Sequence, residues 1–300
     1  MTGRFLVGPE QRQAGPLIGV RVVRLESVDS TNRYLLDAAR DGAVEGLVVV
    51  ARHQSAGRGR LERSWHDLPG SSLLVSILFR PEQWKIERSS WHLLPTIVAL
   101  SVCTAAEEMT GARIGIKWPN DLVVAPATSD APPAGASLVL PGAKPASKLG
   151  GILTEIGPRG AVVVGLGLNL NWPTPEDRGP EHRPVQLRTK VPGDATALSL
   201  LVGAPIEVDE LRGRLLGDIC RRYGDLVGRG AGEAGRALMA EYREACITLG
   251  QVVRVECAGS PPRLVEGTAI ELGEDGRLGV DTASGVTFFE IGDVTHLRSG

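Results

Sequence analysis

The sequence predicts helices and strands interleaved around a sheet that is at least partly antiparallel, followed by a small β-barrel. Three observations lead there. Apolar stretches of strand length alternate with helical runs through residues 23–246. Two of those stretches, 148–156 and 161–171, are joined only by Gly157-Pro158-Arg159-Gly160, a connection short enough for a hairpin. From Leu249 onward the pattern turns to short alternating segments with turn signals such as Glu274-Asp275-Gly276. The expected division is an extension over 1–22, a larger domain over 23–246 and a small β domain over 247–300.

The elements follow in order. Residues 1–22 are rich in Gly, Gln and Arg and weakly patterned, leading into a strand over 20–25. Asp29-Ser30-Thr31-Asn32 precedes a helical run over 33–40, with Ser30 or Thr31 suited to the N-cap and Gly42 to the stop. Residues 47–51 and 72–79, rich in Val, Ile and Leu, read as strands. A helix is expected over 91–109 and a further strand over 114–118. Residues 125–147 are Ala, Pro, Gly and Ser without periodicity, which predicts a flexible insertion, disordered without ligand. After the hairpin strands, a Pro-rich loop covers 172–193, and two helices fit 207–228 and 233–246. The tail strands are expected at 252–256, 268–272, 278–281 and 286–290.

Composition narrows the function classes. The 300 residues are 42% hydrophobic and 23% charged, as in ordinary globular domains. A formal net charge of -2 excludes a generally basic nucleic-acid coat and a polybasic membrane binder, so any anion site has to be local. Cys103, Cys220, Cys246 and Cys257 make no CxxC pair and no zinc spacing, which predicts reduced thiols and fits a cytosolic chain. The first residues hold no long apolar run, so no signal peptide is expected, and the apolar stretch 93–103 is too short to span a bilayer.

Five segments could carry chemistry. Residues 54–65 combine Gly57 and Gly59, which let the backbone approach a ligand, with Arg58, Arg60 and Arg63, whose planar donor forks suit phosphate and carboxylate oxygens. The loop lacks Walker A spacing and could equally be a solvated basic loop. In Lys117-Trp118-Pro119-Asn120-Asp121-Leu122, a strand ends and enters a loop stiffened by Pro119; an ordinary corner would look the same. Lys148 opens a strand beside Gly150 and Gly151, which leave room for a ligand, although an edge lysine is usually solvated. Gly165-Leu166-Gly167 lacks the third glycine of a dinucleotide loop and reads better as a strand packed closely on something else. Ser30-Thr31-Asn32 is either a plain helix cap or a cap facing a ligand.

Together, in order, DSTN, QSAGRGR…W, KWPNDL, KLGGIL.E and GLGLNLN resemble the biotin–protein ligases over about 27–171. The resemblance implies an α+β catalytic domain on a mixed, largely antiparallel sheet of the class II synthetase-like kind, with an SH3-like β-barrel as its C-terminal domain. It implies attack of the biotin carboxylate on the α-phosphate of ATP with Mg²⁺, giving biotinyl-5′-AMP and pyrophosphate. A lysine of a biotin carboxyl carrier domain of an acyl-CoA carboxylase, or of pyruvate carboxylase, then takes the biotin and releases AMP. No tightly bound prosthetic group is implied.

By the same resemblance, Lys148, Arg58 and Arg60 are the catalytic cations, offsetting repulsion between carboxylate and phosphate. Biotin is assigned to Ser30, Thr31, Asn32 and Gln54, to the loop residues Gly57, Arg58, Gly59 and Arg60, and to Lys148 and Gly151. ATP is assigned to Arg58, Arg60, Arg63 and Trp65, to Lys117, Asn120 and Asp121, and to Asn169; Asp121 is also the expected metal ligand. The implied protein is cytoplasmic, a monomer or a ligand-promoted homodimer, and binds neither DNA nor membrane.

Departures from the family pattern are Glu62, where a glycine is common, Gly150 in place of a frequent alanine, and the length of the 125–147 insertion. About twenty residues precede the core, too few for the winged helix-turn-helix of the repressor-type members, so a ligase-only protein is expected. The alternatives are a lipoate–protein ligase, a biotin-responsive repressor, and an oxidoreductase resting on Gly165 and Gly167. The last is weak because no acidic ribose partner follows in a βαβ unit.

Overall fold

The computed structural model describes residues 20–61, 63–124, 147–172, 195–257, 263–290 and 292–297. The extension before residue 20, Glu62, the 125–146 insertion and most of the Pro-rich loop lie outside the described residues.

A seven-stranded sheet runs in the order β1-β2-β3-β7-β6-β5-β4. Its strands are β1 (Arg21–Leu25), β2 (Leu47–Ala51), β3 (Ser72–Phe79), β4 (Ile114–Lys117), β5 (Asp121–Val124), β6 (Lys148–Ile156) and β7 (Val162–Asn169). Only β1 and β2 pair in parallel; every other pair is antiparallel, so the sheet is mixed and largely antiparallel. The Gly157–Gly160 connection makes the expected β6–β7 hairpin through a 3₁₀ turn.

Helices cover the sheet unequally. α1 (Thr31–Arg40) is capped by Ser30, whose Oγ accepts from the Arg33 amide at 3.5 Å. It packs Leu35 and Ala39 against Val49, Leu78 and Val163 on one face. α2 (Leu93–Thr110) and the long run α4 (Val208–Ala245) cover the other face with the main core. The two helices expected near the C-terminus of this region are the two halves of α4, broken at Gly230, where φ is 78° and ψ 159°. A short α3 (Leu198–Val202) was not expected.

Two expectations need correction. The segment after Trp118 is not a loop: Lys117 pairs with Asp121 across a tight turn, and Asp121 opens β5 because β6 offers it a partner in Gly151. The apolar stretch 93–103 is also only part of its element. Arg88–Thr110 is long and apolar enough to cross a membrane by length and composition, yet 72% of its most apolar window is buried inside the fold. Burial against α4 and the sheet accounts for its hydropathy.

The second sheet is five-stranded and antiparallel, in the order β11-β10-β9-β8-β12. It comprises β8 (Val252–Cys257), β9 (Arg263–Leu272), β10 (Leu278–Thr282), β11 (Gly285–Phe289) and β12 (Asp293–His296), the last not anticipated. Val253, Val255, Leu278 and Val280 of this sheet are fully buried and continuous with the main core. It is therefore held firmly beside the larger sheet.

Candidate active site

Strand periodicity sets the floor of the site. Along β7, Val164, Leu166 and Leu168 enter the main core under α2. Gly165, Gly167 and Asn169 consequently point to the opposite face, the face that carries α1. A Cβ at Gly165 would lie 2.1 Å from Asn32 Oδ1, and one at Gly167 would lie 2.7 Å from Trp65 Cε2. The glycines thus admit α1 and the arginine loop to the sheet, which is the close-packing reading of the GxG segment.

The N-terminus of α1 forms a neutral polar corner. Gln54 Oε1 accepts from the Thr31 amide at 2.7 Å and from Thr31 Oγ1 at 3.0 Å. Ser76 Oγ, fully buried in β3, lies 2.7 Å from Thr31 Oγ1 and 2.6 Å from Asn32 Oδ1. Asn32 Nδ2 donates to the Leu153 carbonyl at 3.1 Å and to Glu155 Oε2 at 2.9 Å. The Asn32 amide and the Thr31 amide and hydroxyl are therefore filled by protein partners and build the corner, which leaves Gln54 Nε2 to present a polar edge.

The cations stand around this corner, each on a protein acceptor. Arg58 Nη2 donates to Glu155 Oε2 at 2.9 Å, and Lys148 Nζ donates to Asp121 Oδ1 at 2.6 Å. Arg60 Nη1 donates to Asn120 Oδ1 at 2.9 Å, while Asn120 Nδ2 donates to the Ile152 carbonyl at 3.0 Å. Arg63 pairs with Asp293 of the second sheet. Burial lowers the Arg60 pKa from the ordinary guanidinium value, with the Asp293 and Asp121 carboxylates opposing that shift. The loop is a small hairpin: the Gly59 amide donates to the Arg63 carbonyl at 2.6 Å and the Trp65 amide to the Gly57 carbonyl at 2.9 Å.

One cavity of about 410 Å³ gathers nearly every expected site residue. Its walls hold Ser30, Thr31, Asn32 and Gln54 at the neutral end, and Arg58, Gly59, Arg60, Arg63 and Trp65 from the loop. Lys117, Asn120 and Asp121 come from the β4–β5 turn, Lys148 and Gly151 from β6, and Asn169 from β7. Gly57 faces the larger neighbouring trough, which also runs past Arg58 and Arg60. Asn169 Nδ2 donates to the Thr196 carbonyl at 3.0 Å, so its amide also ties down the segment before α3. Among the described residues no cluster of three or more His, Cys, Asp or Glu forms a metal cage.

Sequence reasoning gave no role to Ser76 or Asp293, and named Glu155 only as the last residue of the KLGGIL.E motif. Ser76 had a signal: it is the one hydroxyl inside the apolar run Leu73–Phe79. Asp293 had none, because its partner Arg63 lies 230 residues away. A second layer also supports the β4–β5 turn. The Tyr242 hydroxyl, its pKa raised well above the ordinary phenol value by burial, donates to the Pro119 carbonyl at 3.3 Å. The Trp118 amide donates to Thr248 Oγ1 at 3.0 Å, beside His296 Nε2 at 3.2 Å.

A neutral polar corner and converging cations define a site suited to a ligand with an uncharged polar part and an anionic part, and the comparisons refine this. The model of the Biotin/lipoate A/B protein ligase family matches residues 25–169. The biotin–[acetyl-CoA-carboxylase] ligase of Mycobacterium tuberculosis is 31% identical over 273 residues, covering 90% of this chain and 86% of its own length. The bifunctional ligase/repressor BirA of Escherichia coli is 32% identical over 161 residues, covering 52% of this chain and 42% of its own length. The fold is similar to that of biotin protein ligase from Aquifex aeolicus in complex with biotin and ATP, with a TM-score of 0.67 and 24% identity over 93% of this chain and 99% of that one. The chain belongs to the biotin–protein ligase family.

Proposed function

We propose that this chain is an ATP-dependent biotin–protein ligase, and that the cavity between the arginine loop and Lys148 is where biotin is adenylated. The observation that carries the reading is the convergence of one loop, with Arg58, Arg60 and Arg63, and the distant Lys148 of β6 on a cavity whose other end is neutral and polar. In the first step a biotin carboxylate oxygen bonds to the α-phosphorus of ATP, the bond from that phosphorus to the bridging oxygen breaks, and pyrophosphate leaves. In the second, a carrier lysine amine bonds to the acyl carbon, the acyl–phosphate bond breaks, AMP leaves and the amine proton passes to solvent.

Both substrates of the first step are anions, so fixed positive charge in a partly dehydrated cavity lowers the cost of bringing them together. Lys148 acts as such a charge at the reacting oxygens, held in place by Asp121. Arg58 and Arg60 flank the carboxylate and the α-phosphate, and Arg63, Lys117 and Asn120 serve the polyphosphate. Mg²⁺ enters with ATP, and Asp121 is the carboxylate proposed to meet it; magnesium is commonly bound by one or two carboxylates plus substrate phosphates. Biotin's neutral ureido head suits Thr31 and Gln54. Each such bond is worth about 1 kcal/mol, and an acid lacking the ureido group would forgo it, leaving Thr31 and Gln54 bonded to each other. The acceptor is a biotin carrier domain of a carboxylase, and the same reading divides the chain into a catalytic domain over 23–246 and a β domain over 247–300.

The test is pyrophosphate release by the purified chain with MgATP and either biotin or lipoate, followed by transfer to a carrier domain. Biotin-dependent release with subsequent carrier labelling is expected. Preference for lipoate would end the biotin reading.

A further inference from the structure

We infer that Asp293 is a stand-in for phosphate: a carboxylate on the C-terminal sheet that holds Arg63 until ATP takes its place. The inference rests on the reading of Arg63 as an ATP ligand given above. Asp293 opens β12, and its backbone pairs with Glu256 of β8, so the carboxylate is carried by the second sheet and not by the loop. It lines the same cavity as Lys148 and Asn120 and takes the Arg63 guanidinium there. The neighbouring Gly292 carbonyl accepts from Arg60 Nη2 at 3.2 Å, a second tie from the same turn to the same loop.

A carboxylate and a phosphate present oxygen acceptors of similar spacing to a guanidinium. Asp293 holds Arg63 through Nη2, so a polyphosphate that takes that edge of the guanidinium displaces the carboxylate. The pair is also built to exchange, since the Arg63 side chain is 65% exposed and that of Asp293 34%. Exposed ion pairs contribute little and break readily. Asp293 has to be displaced from Arg63 before ATP can use that cation. It therefore keeps the loop positioned in the ligand-free enzyme and weakens ATP binding at the same time. Asp293 is a positioning residue acting through Arg63.

The test is steady-state pyrophosphate release by the full chain with MgATP and biotin. Asp293→Asn and Asp293→Ser are expected to lower KM for ATP about three- to fivefold, with KM for biotin changed by less than about twofold. Asp293→Glu should keep the parent value. Arg63→Ala should raise KM for ATP, and Asp293→Asn added to it should produce no further change. A residue that merely braced the two sheets would instead raise KM for ATP when neutralised. That result, or a drop in KM that persists in the Arg63→Ala background, overturns the inference. If Arg63→Ala leaves KM for ATP unchanged, the role of Arg63 itself fails; if Arg63→Ala raises it but neither neutral Asp293 variant lowers it, only the stand-in fails.

Discussion

The two ends of the cavity are built on opposite terms. At the neutral end Thr31, Asn32, Gln54 and Ser76 satisfy one another in a nearly buried network, seated on Gly165. At the charged end Arg58, Arg63 and Lys148 each lean on a carboxylate and remain partly exposed. Buried neutral networks are rigid because any unpaired member is costly, whereas exposed ion pairs exchange partners cheaply. The arrangement suits a fixed template for an uncharged head group and an exchangeable cradle for anions. Substitutions at the first end should therefore damage the fold together with binding, and those at the second should change chemistry while sparing the fold.

The largest effect is expected at the charged end. Lys148→Ala should lower the adenylation rate about 10²- to 10³-fold, the range seen when one electrostatic stabiliser is lost. Its melting temperature should stay within a few degrees of the parent, because Lys148 and Asp121 are both partly exposed. Single-turnover pyrophosphate release and calorimetry check the two halves; near-normal turnover would remove Lys148 from its role. Gly165→Ala attacks the other end. The new methyl would press on Asn32 and should cost about 1–3 kcal/mol of stability along with biotin affinity. Gly151→Ala is the control for stability alone, since its nearest neighbours stand at 3.6 Å or more, and denaturant titration separates the two.

Smaller effects sharpen the contrast. Arg60→Ala removes the charge-assisted bonds proposed to hold the adenylate and should speed its escape about tenfold, read as biotinylation of bystander lysines in a mixture of proteins. At the sheet junction, burial and the neighbouring Lys117 push His296 down to about 4 from 6.5. A depressed histidine means that the unfolded chain takes up the proton first as pH falls. Its stabilising share is therefore complete above pH 6.5 and is lost as pH drops toward 4. His296→Gln should flatten that acid limb by about 1 kcal/mol, after allowing for solvent screening, in thermal melts across the window.

Local chemistry was legible wherever neighbours in the chain decide it. Ser30 caps α1, the β6–β7 turn makes its hairpin, and the alternation in GLGLN sends leucines to the core and glycines to the site. The break at Gly230 was foreseeable because glycine tolerates that φ. By contrast β5 looked like a loop, since four residues carry too little pattern to reveal a strand that exists because β6 pairs with it.

By itself, then, the sequence determined the inventory: which residues carry charge, which segments bend or extend, and which family the motifs resemble. Only the tertiary structure decided how these are coupled. Glu155 came to share Asn32 and Arg58, Ser76 to underlie the polar corner, and Asp293 to hold Arg63 from another sheet. The physical reason is range. Capping, turns and strand alternation act over a few residues, whereas an ion pair across 230 positions forms only after packing has brought two surfaces together.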